Sequence, residues 1–242
     1  MSCGIKKSIR LGGEELSTPL ICASVIDVDM DSLNSGLEKA SKLGADILEI
    51  RVDKLEGFPD WGNFLFDEKP VIVTNRSKEE GGYFKGGEEE RVEVLLDAIN
   101  FGVSCVDIEF STSEELRNKV MKEALKNNVS VIASYHDFEG VPPREKLVDK
   151  AVRMSNSGCD FVKIVGFSND LQESIDILKF LIRSQRDLRT PLIAFAMGEK
   201  GKLTRYTAPL LGSPIVYASV VKKAAPGQLD VSTVREILDK YK

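Results

Sequence analysis

The stretch DFVKIVGF, Asp160 to Phe167, sets a lysine between Val162 and Ile164 in a run that otherwise carries apolar residues on both faces. Such a run fits a central parallel strand covered on each side, because a strand with one wet face alternates apolar and polar residues. An ammonium held there costs free energy unless it is paired, and burial lowers its pKa, so that a fraction becomes a neutral, nucleophilic amine. The competing reading is a lysine that snorkels to water from a strand end. The rest of the chain has to separate the two.

Seven more short apolar, β-branched runs recur along the chain: PLICASVI (19–26), ADILEIRV (45–52), PVIVTNR (70–76), VSCVDIEF (103–110), VSVIASYHDF (129–138), PLIAFAM (191–197) and SPIVYASV (213–220). Helix-favouring stretches alternate with them, among them DSLNSGLEKASKLG (31–44), ERVEVLLDAINFG (90–102), SEELRNKVMKEALKNN (113–128), REKLVDKAVRMSNSG (144–158) and LQESIDILKFLIRSQ (171–185). In the second of these, Val92, Leu95, Leu96, Ile99 and Phe101 recur close to the 3.6-residue period of a helix. Several helical stretches stop on Gly or Asn, in LGAD, FGVS, NNVS and SGCD, as helix C-termini do.

About eight strand–loop–helix–turn units, with no composition break or long linker, predict one (β/α)₈ barrel domain over 1–242 rather than an open doubly wound sheet. Ahead of the first unit, SIRLGGEEL (8–16) reads as a β-hairpin with a Gly-Gly turn that caps the barrel bottom.

Composition narrows the function. The 242 residues carry 33 Lys and Arg against 38 Asp and Glu, a formal net charge of −5. A nucleic-acid surface needs a basic face, so an anionic ligand has to be met by a local cluster instead. No stretch has the apolar core of a signal peptide or approaches the ~18 apolar residues of a membrane helix, which predicts a cytoplasmic protein. Cys3, Cys22, Cys105 and Cys159 are scattered, there is no CxxC, and His136 is the only histidine. A metal site therefore lacks ligands, and the cysteines read as reduced packing residues.

In a barrel, alternate strand residues point inward and chemistry gathers at the strands' C-terminal ends. An inward Ile47 puts Glu49 and Arg51 on the same side; Thr74 shares a face with Arg76, Ile132 with Ser134 and His136, Phe161 with Lys163, and Phe195 with Met197. Each has a plain alternative: Glu49 with Arg51 as a structural ion pair, Met197 as packing. A histidine and a lysine on adjacent inward strand ends nevertheless suggest an acid/base beside a nucleophile. The loop SKEEGGYFKGGEEER (77–91) brings Glu80 just before a Gly pair, where the backbone can approach the mouth and move. The loops GEKGKLTR (198–205) and KKAAPGQ (222–228) offer Arg205 and Gln228, a fork and an amide suited to a carboxylate.

ExRxD (49–53), TxRSxxEGG (74–82), SYHDF (134–138), Lys163, Met197 with Arg205, and APGQ (225–228) together resemble type I 3-dehydroquinate dehydratases, in order and across nearly the whole chain. The resemblance implies a (β/α)₈ barrel that dehydrates 3-dehydroquinate to 3-dehydroshikimate through a lysine Schiff base, a shikimate-pathway hydro-lyase with no metal or organic cofactor. It implies Lys163 as nucleophile, His136 as general acid/base, and Glu80 as the carboxylate that orients His136 and raises its imidazolium pKa. It places Glu49, Arg51 and Arg76 around substrate hydroxyls, Met197 against the substrate, and Arg205 with Gln228 on its carboxylate. By analogy of fold the chain is expected to be a homodimer, although no apolar stripe marks an interface. Two positions depart from the family pattern: Ala224 where a hydroxyl residue is common, and Phe195 where a second methionine is common. A Schiff-base aldolase on the same fold, and a catalytically silent barrel that serves in binding, are the rival readings; the final loops lack the Gly-rich phosphate cradle of the first.

Overall fold

A computed structural model describes residues 8–64, 69–220 and 227–241. Eight parallel strands, β3 (Leu20–Ile26), β4 (Ile47–Arg51), β5 (Val71–Thr74), β6 (Cys105–Glu109), β7 (Ser130–Asp137), β8 (Phe161–Phe167), β9 (Leu192–Met197) and β10 (Ile215–Ser219), form one sheet. Its order, β10-β3-β4-β5-β6-β7-β8-β9, brings the last strand beside the first and leaves a nearly closed barrel. Each of the eight runs read as strands holds one of them, and DFVKIVGF lies between β7 and β9, paired on both edges.

Helices α1 (Met30–Lys42), α2 (Glu88–Phe101), α3 (Glu114–Asn127), α4 (Arg144–Ser155), α5 (Leu171–Asp187), α6 (Lys202–Leu210) and α7 (Val231–Lys240) cover the sheet. Local chemistry sets their ends. Asp29, Asp170 and Asp230 accept the backbone N–H of Ser32, Glu173 and Thr233, an N-terminal cap worth about 1 kcal/mol each. The four stops foreseen in the sequence, Gly44, Gly102, Asn128 and Gly158, all have left-handed φ, which turns the chain out of the helix.

Two expectations need correction. The unit between β4 and β5 has, among the described residues, only a 3₁₀ turn (Trp61–Asn63) in place of an α-helix. Gly57, Pro59 and Gly62 punctuate that stretch and disfavour helix propagation. Conversely, GEKGKLTR is not all loop, since Arg205 sits on α6. The Thr204 hydroxyl accepts the Ala196 N–H at 2.8 Å, pinning the first turn of α6 to the end of β9.

The strands bury both faces. Ile21, Ala23, Leu48, Ile50, Val73, Val106 and Ile108 pack outward with the helices, whereas Cys22, Ile47, Ile72, Cys105, Ile132 and Phe161 belong to a second cluster. That second cluster continues into the hairpin of β1 (Ser8–Leu11) and β2 (Glu14–Ser17), through buried Ile9 and Leu11. Gly12 and Gly13 both have positive φ, as a two-residue hairpin turn requires. The Gly12 N–H donates to Ser130 Oγ at the first residue of β7, so the hairpin stops the N-terminal end of the barrel. No helix among the described residues is long and apolar enough to cross a membrane. Ala224 and Cys3 lie outside the described residues.

Candidate active site

Lys163 lies third in β8 and is 4% exposed, too deep to snorkel. Its Nζ is 2.9 Å from Asp107 Oδ2 and 3.8 Å from Glu49 Oε1, and it stands 4.0 Å from the centre of the Tyr217 ring. These neighbours answer the cost of burying an ammonium. Asp107 also accepts Arg76 Nη2 at 2.8 Å and the Ser134 hydroxyl at 2.6 Å. Burial by itself would raise the Asp107 pKa, yet Arg76 and Lys163 hold its carboxyl well below the usual carboxylate range. Glu49 accepts the hydroxyls of Ser24 and, at 2.9 Å, Thr74.

Because two buried cations converge on Asp107, Asp107→Asn is expected to cost about 3–5 kcal/mol of folding stability, the range for removing one charge from a buried pair. Urea unfolding measures it. A loss below about 1 kcal/mol would show that Arg76 and Lys163 are adequately paired without Asp107.

Glu80 ends a 3₁₀ turn (Lys78–Glu80) whose following residue, Gly81, has φ 79°. A Cβ at position 81 would lie 2.1 Å from the Phe138 ring, so the turn needs glycine both for its backbone and for its packing under the end of SYHDF. Glu80 Oε2 lies 2.9 Å from the His136 backbone nitrogen and 3.0 Å from its Nδ1, while Oε1 accepts the Ser111 hydroxyl at 2.7 Å. One carboxylate thereby fixes both the backbone and the ring of His136.

The electrostatics of this pair differ from the sequence expectation. Burial, followed by the nearby Arg76 and Lys163 cations, pushes the His136 imidazole pKa well below its ordinary value, instead of Glu80 raising it. Burial likewise pushes Glu80 up to about 7, against the pull of Arg76. A neutral ring whose Nδ1–H donates a hydrogen bond to Glu80 keeps a lone pair on Nε2, the form that accepts a proton.

The remaining candidates surround this pair. Arg51 does not pair with Glu49: it makes a two-pronged contact with Asp53, at 2.7 and 2.8 Å. The same Asp53 carboxylate accepts the Tyr83 N–H at 3.1 Å, tying the 77–91 loop to the end of β4. Arg205 is buried with its guanidinium 4.8 Å over the Phe195 ring, and desolvation lowers its pKa to about 10. Phe195, the departure from the family pattern, thus forms the apolar bed of this cation.

Glu49, Arg51, Arg76, Glu80, His136, Lys163, Met197, Arg205 and Gln228 all line one cavity of about 720 Å³, counted to its open mouth. Asp107 was missed by sequence reading, although it shares the strand parity of Cys105 and Glu109 and breaks an apolar run as Lys163 does. Tyr217 and Ser24 were also missed, since a tyrosine or serine in a strand carries no comparable signal.

A parallel barrel that gathers an amine, an imidazole and three buried arginines in one cavity defines a (β/α)₈-barrel enzyme. Residues 21–242 match the sequence model of the type I 3-dehydroquinase family, and the chain belongs to that family. It is 38% identical over 222 residues to the 3-dehydroquinate dehydratase of Methanococcus maripaludis, covering 91% of this chain and 99% of that protein. It is 36% identical over 232 residues to that of Methanosarcina acetivorans, covering 91% and 95%. Among solved structures, the 3-dehydroquinate dehydratase of Geobacillus kaustophilus superposes with a TM-score of 0.91 at 26% identity, covering 99% of this chain and 98% of the other.

Proposed function

We propose that this chain dehydrates 3-dehydroquinate to 3-dehydroshikimate through an imine on Lys163, with His136 as the acid/base. The observation that carries the reading is the convergence of the Lys163 amine and the Glu80-bound His136 ring on one cavity. The Lys163 amine, once it has given up its proton, adds to the C3 ketone; the carbinolamine expels its oxygen as water, and a protonated imine remains. That cation draws electrons from C2, and His136 Nε2 takes the C2 proton to leave an enamine. The enamine pushes out the C1 hydroxyl, which leaves as water with the proton held by His136. A water then hydrolyses the conjugated imine, so the net change is the loss of one water from the substrate.

Borohydride with substrate tests the covalent step, and the ultraviolet absorbance of the conjugated enone product tests turnover. An aldolase would give cleavage products without the enone, and a binding protein would give neither signal.

The reading gives Arg205 and Gln228 the substrate carboxylate. A guanidinium–carboxylate contact is present in both ground and transition states, so Arg205→Ala should raise KM by more than it lowers kcat. Steady-state kinetics would show this, and an unchanged KM would remove Arg205 from the site.

A further inference from the structure

The Tyr217 side chain is buried in the same cavity as the reacting amine, and its ring faces Lys163 Nζ at 4.0 Å from the centroid. Its hydroxyl makes no hydrogen bond among the described residues, so the face of the ring, rather than its polar end, is what the position offers the site. The ring is itself held in place, with the Phe195 ring 6.2 Å away on β9 and Cys22 opposite it in the β10–β3 register. An aromatic face attracts a cation through its quadrupole, most strongly where both are out of water.

We infer that Tyr217 is a further catalytic residue, whose ring face keeps the imine nitrogen of Lys163 in its protonated, electron-withdrawing form. The inference rests on the lysine-imine reading above. An imine nitrogen is a weaker base than the amine it came from, so the protonated imine is the cation of the cycle most ready to lose its proton. Asp107, 2.9 Å from Nζ in the free enzyme, is held well below the usual carboxylate range by its cations and is a poor acceptor, so that proton is lost to water. A neutral imine draws electrons from C2 poorly, and the C2 proton then stays in place. The ring disfavours this loss, since its attraction is for the cation and vanishes with the charge. The balance is simple: the proton leaves nitrogen for water, no electrons change hands, and the cycle stalls until it returns.

The other charged or titratable groups that face this nitrogen are Asp107 and Cys105 on β6, Glu49 on β4, Arg76 after β5, His136 on β7 and Cys22 on β3. All are left intact by a change confined to position 217. The test therefore compares phenylalanine with pentafluorophenylalanine at that position, two rings of similar shape whose faces have opposite quadrupoles. Tyr217→Phe should keep the alkaline limb of the kcat profile. The pentafluoro ring should move that limb to lower pH by about one unit, the order expected for losing a desolvated cation–π contact.

Midway between the two limbs the pentafluoro protein should still bind substrate but turn over about threefold more slowly than the phenylalanine protein, and about tenfold more slowly at a pH above both limbs. A purely structural role would move Tm or kcat without displacing the limb. Superimposable limbs for the two rings, with Lys163 still trapped by borohydride, would overturn the role of Tyr217 alone. Absence of any trapped adduct in the unmodified enzyme would instead overturn the imine reading on which it rests.

Discussion

Lys163→Ala is expected to abolish turnover and borohydride trapping together. The position is fixed by the barrel rather than by a loop: Lys163 is paired across β7 and β9 and held among Asp107, Glu49 and the Tyr217 ring. In the proposed mechanism the nitrogen forms the bond that makes C2 acidic, and among the described residues no other lysine lines the cavity. Alanine also leaves Asp107 with Arg76 as its remaining cation, so the variant should be checked for folding by circular dichroism and thermal melting. A folded variant that still forms the enone, or an adduct in the unmodified enzyme that maps to a lysine other than 163, would defeat the mechanism.

His136→Ala separates bond formation from proton transfer. General acid–base catalysis contributes typically ~10²–10⁴-fold, and this ring is asked to serve in more than one step, so loss of kcat at the upper end of that range is expected. Lys163 remains in the variant, and incubation with substrate or product followed by borohydride should still leave an adduct on the peptide that contains it. Mass spectrometry of the trapped peptide reads this directly. If the imidazole also carries protons during the proposed imine formation, trapping should be slower than in the unmodified enzyme. Normal turnover would show that the base lies elsewhere in the pocket.

The parts of this molecule that could be read from sequence are those governed by local rules. Strand runs, helix stops and the Gly-Gly hairpin each depend on a few neighbouring residues, and parity along a strand carried Glu49, Arg76, His136 and Lys163 to one face without any knowledge of distance. Partner choice was not legible in the same way. Arg51 could be placed beside Glu49 by parity, yet it folds along its own strand end onto Asp53, because a guanidinium satisfies both carboxylate oxygens there. The direction of the His136 shift was missed for a related reason: adjacency to Glu80 was foreseeable, but the burial of the ring and the fields of Arg76 and Lys163 require the closed barrel. Asp107 was not legible because a buried Lys163 demands an anion but the sequence does not say which strand supplies it.

Among the described residues, the hairpin stops the N-terminal end of the barrel and leaves the opposite rim as the doorway. Leu11 is fully buried and Ile9 is 5% exposed, so the apolar stopper leaves traffic to the opposite rim, where Tyr83 and Phe138 stand half-exposed. Arrivals and departures then share one lane, and a product that lingers holds off the next substrate as effectively as a dedicated blocker. An inhibitor seated at that rim, without reaching the lysine, would close the enzyme in both directions.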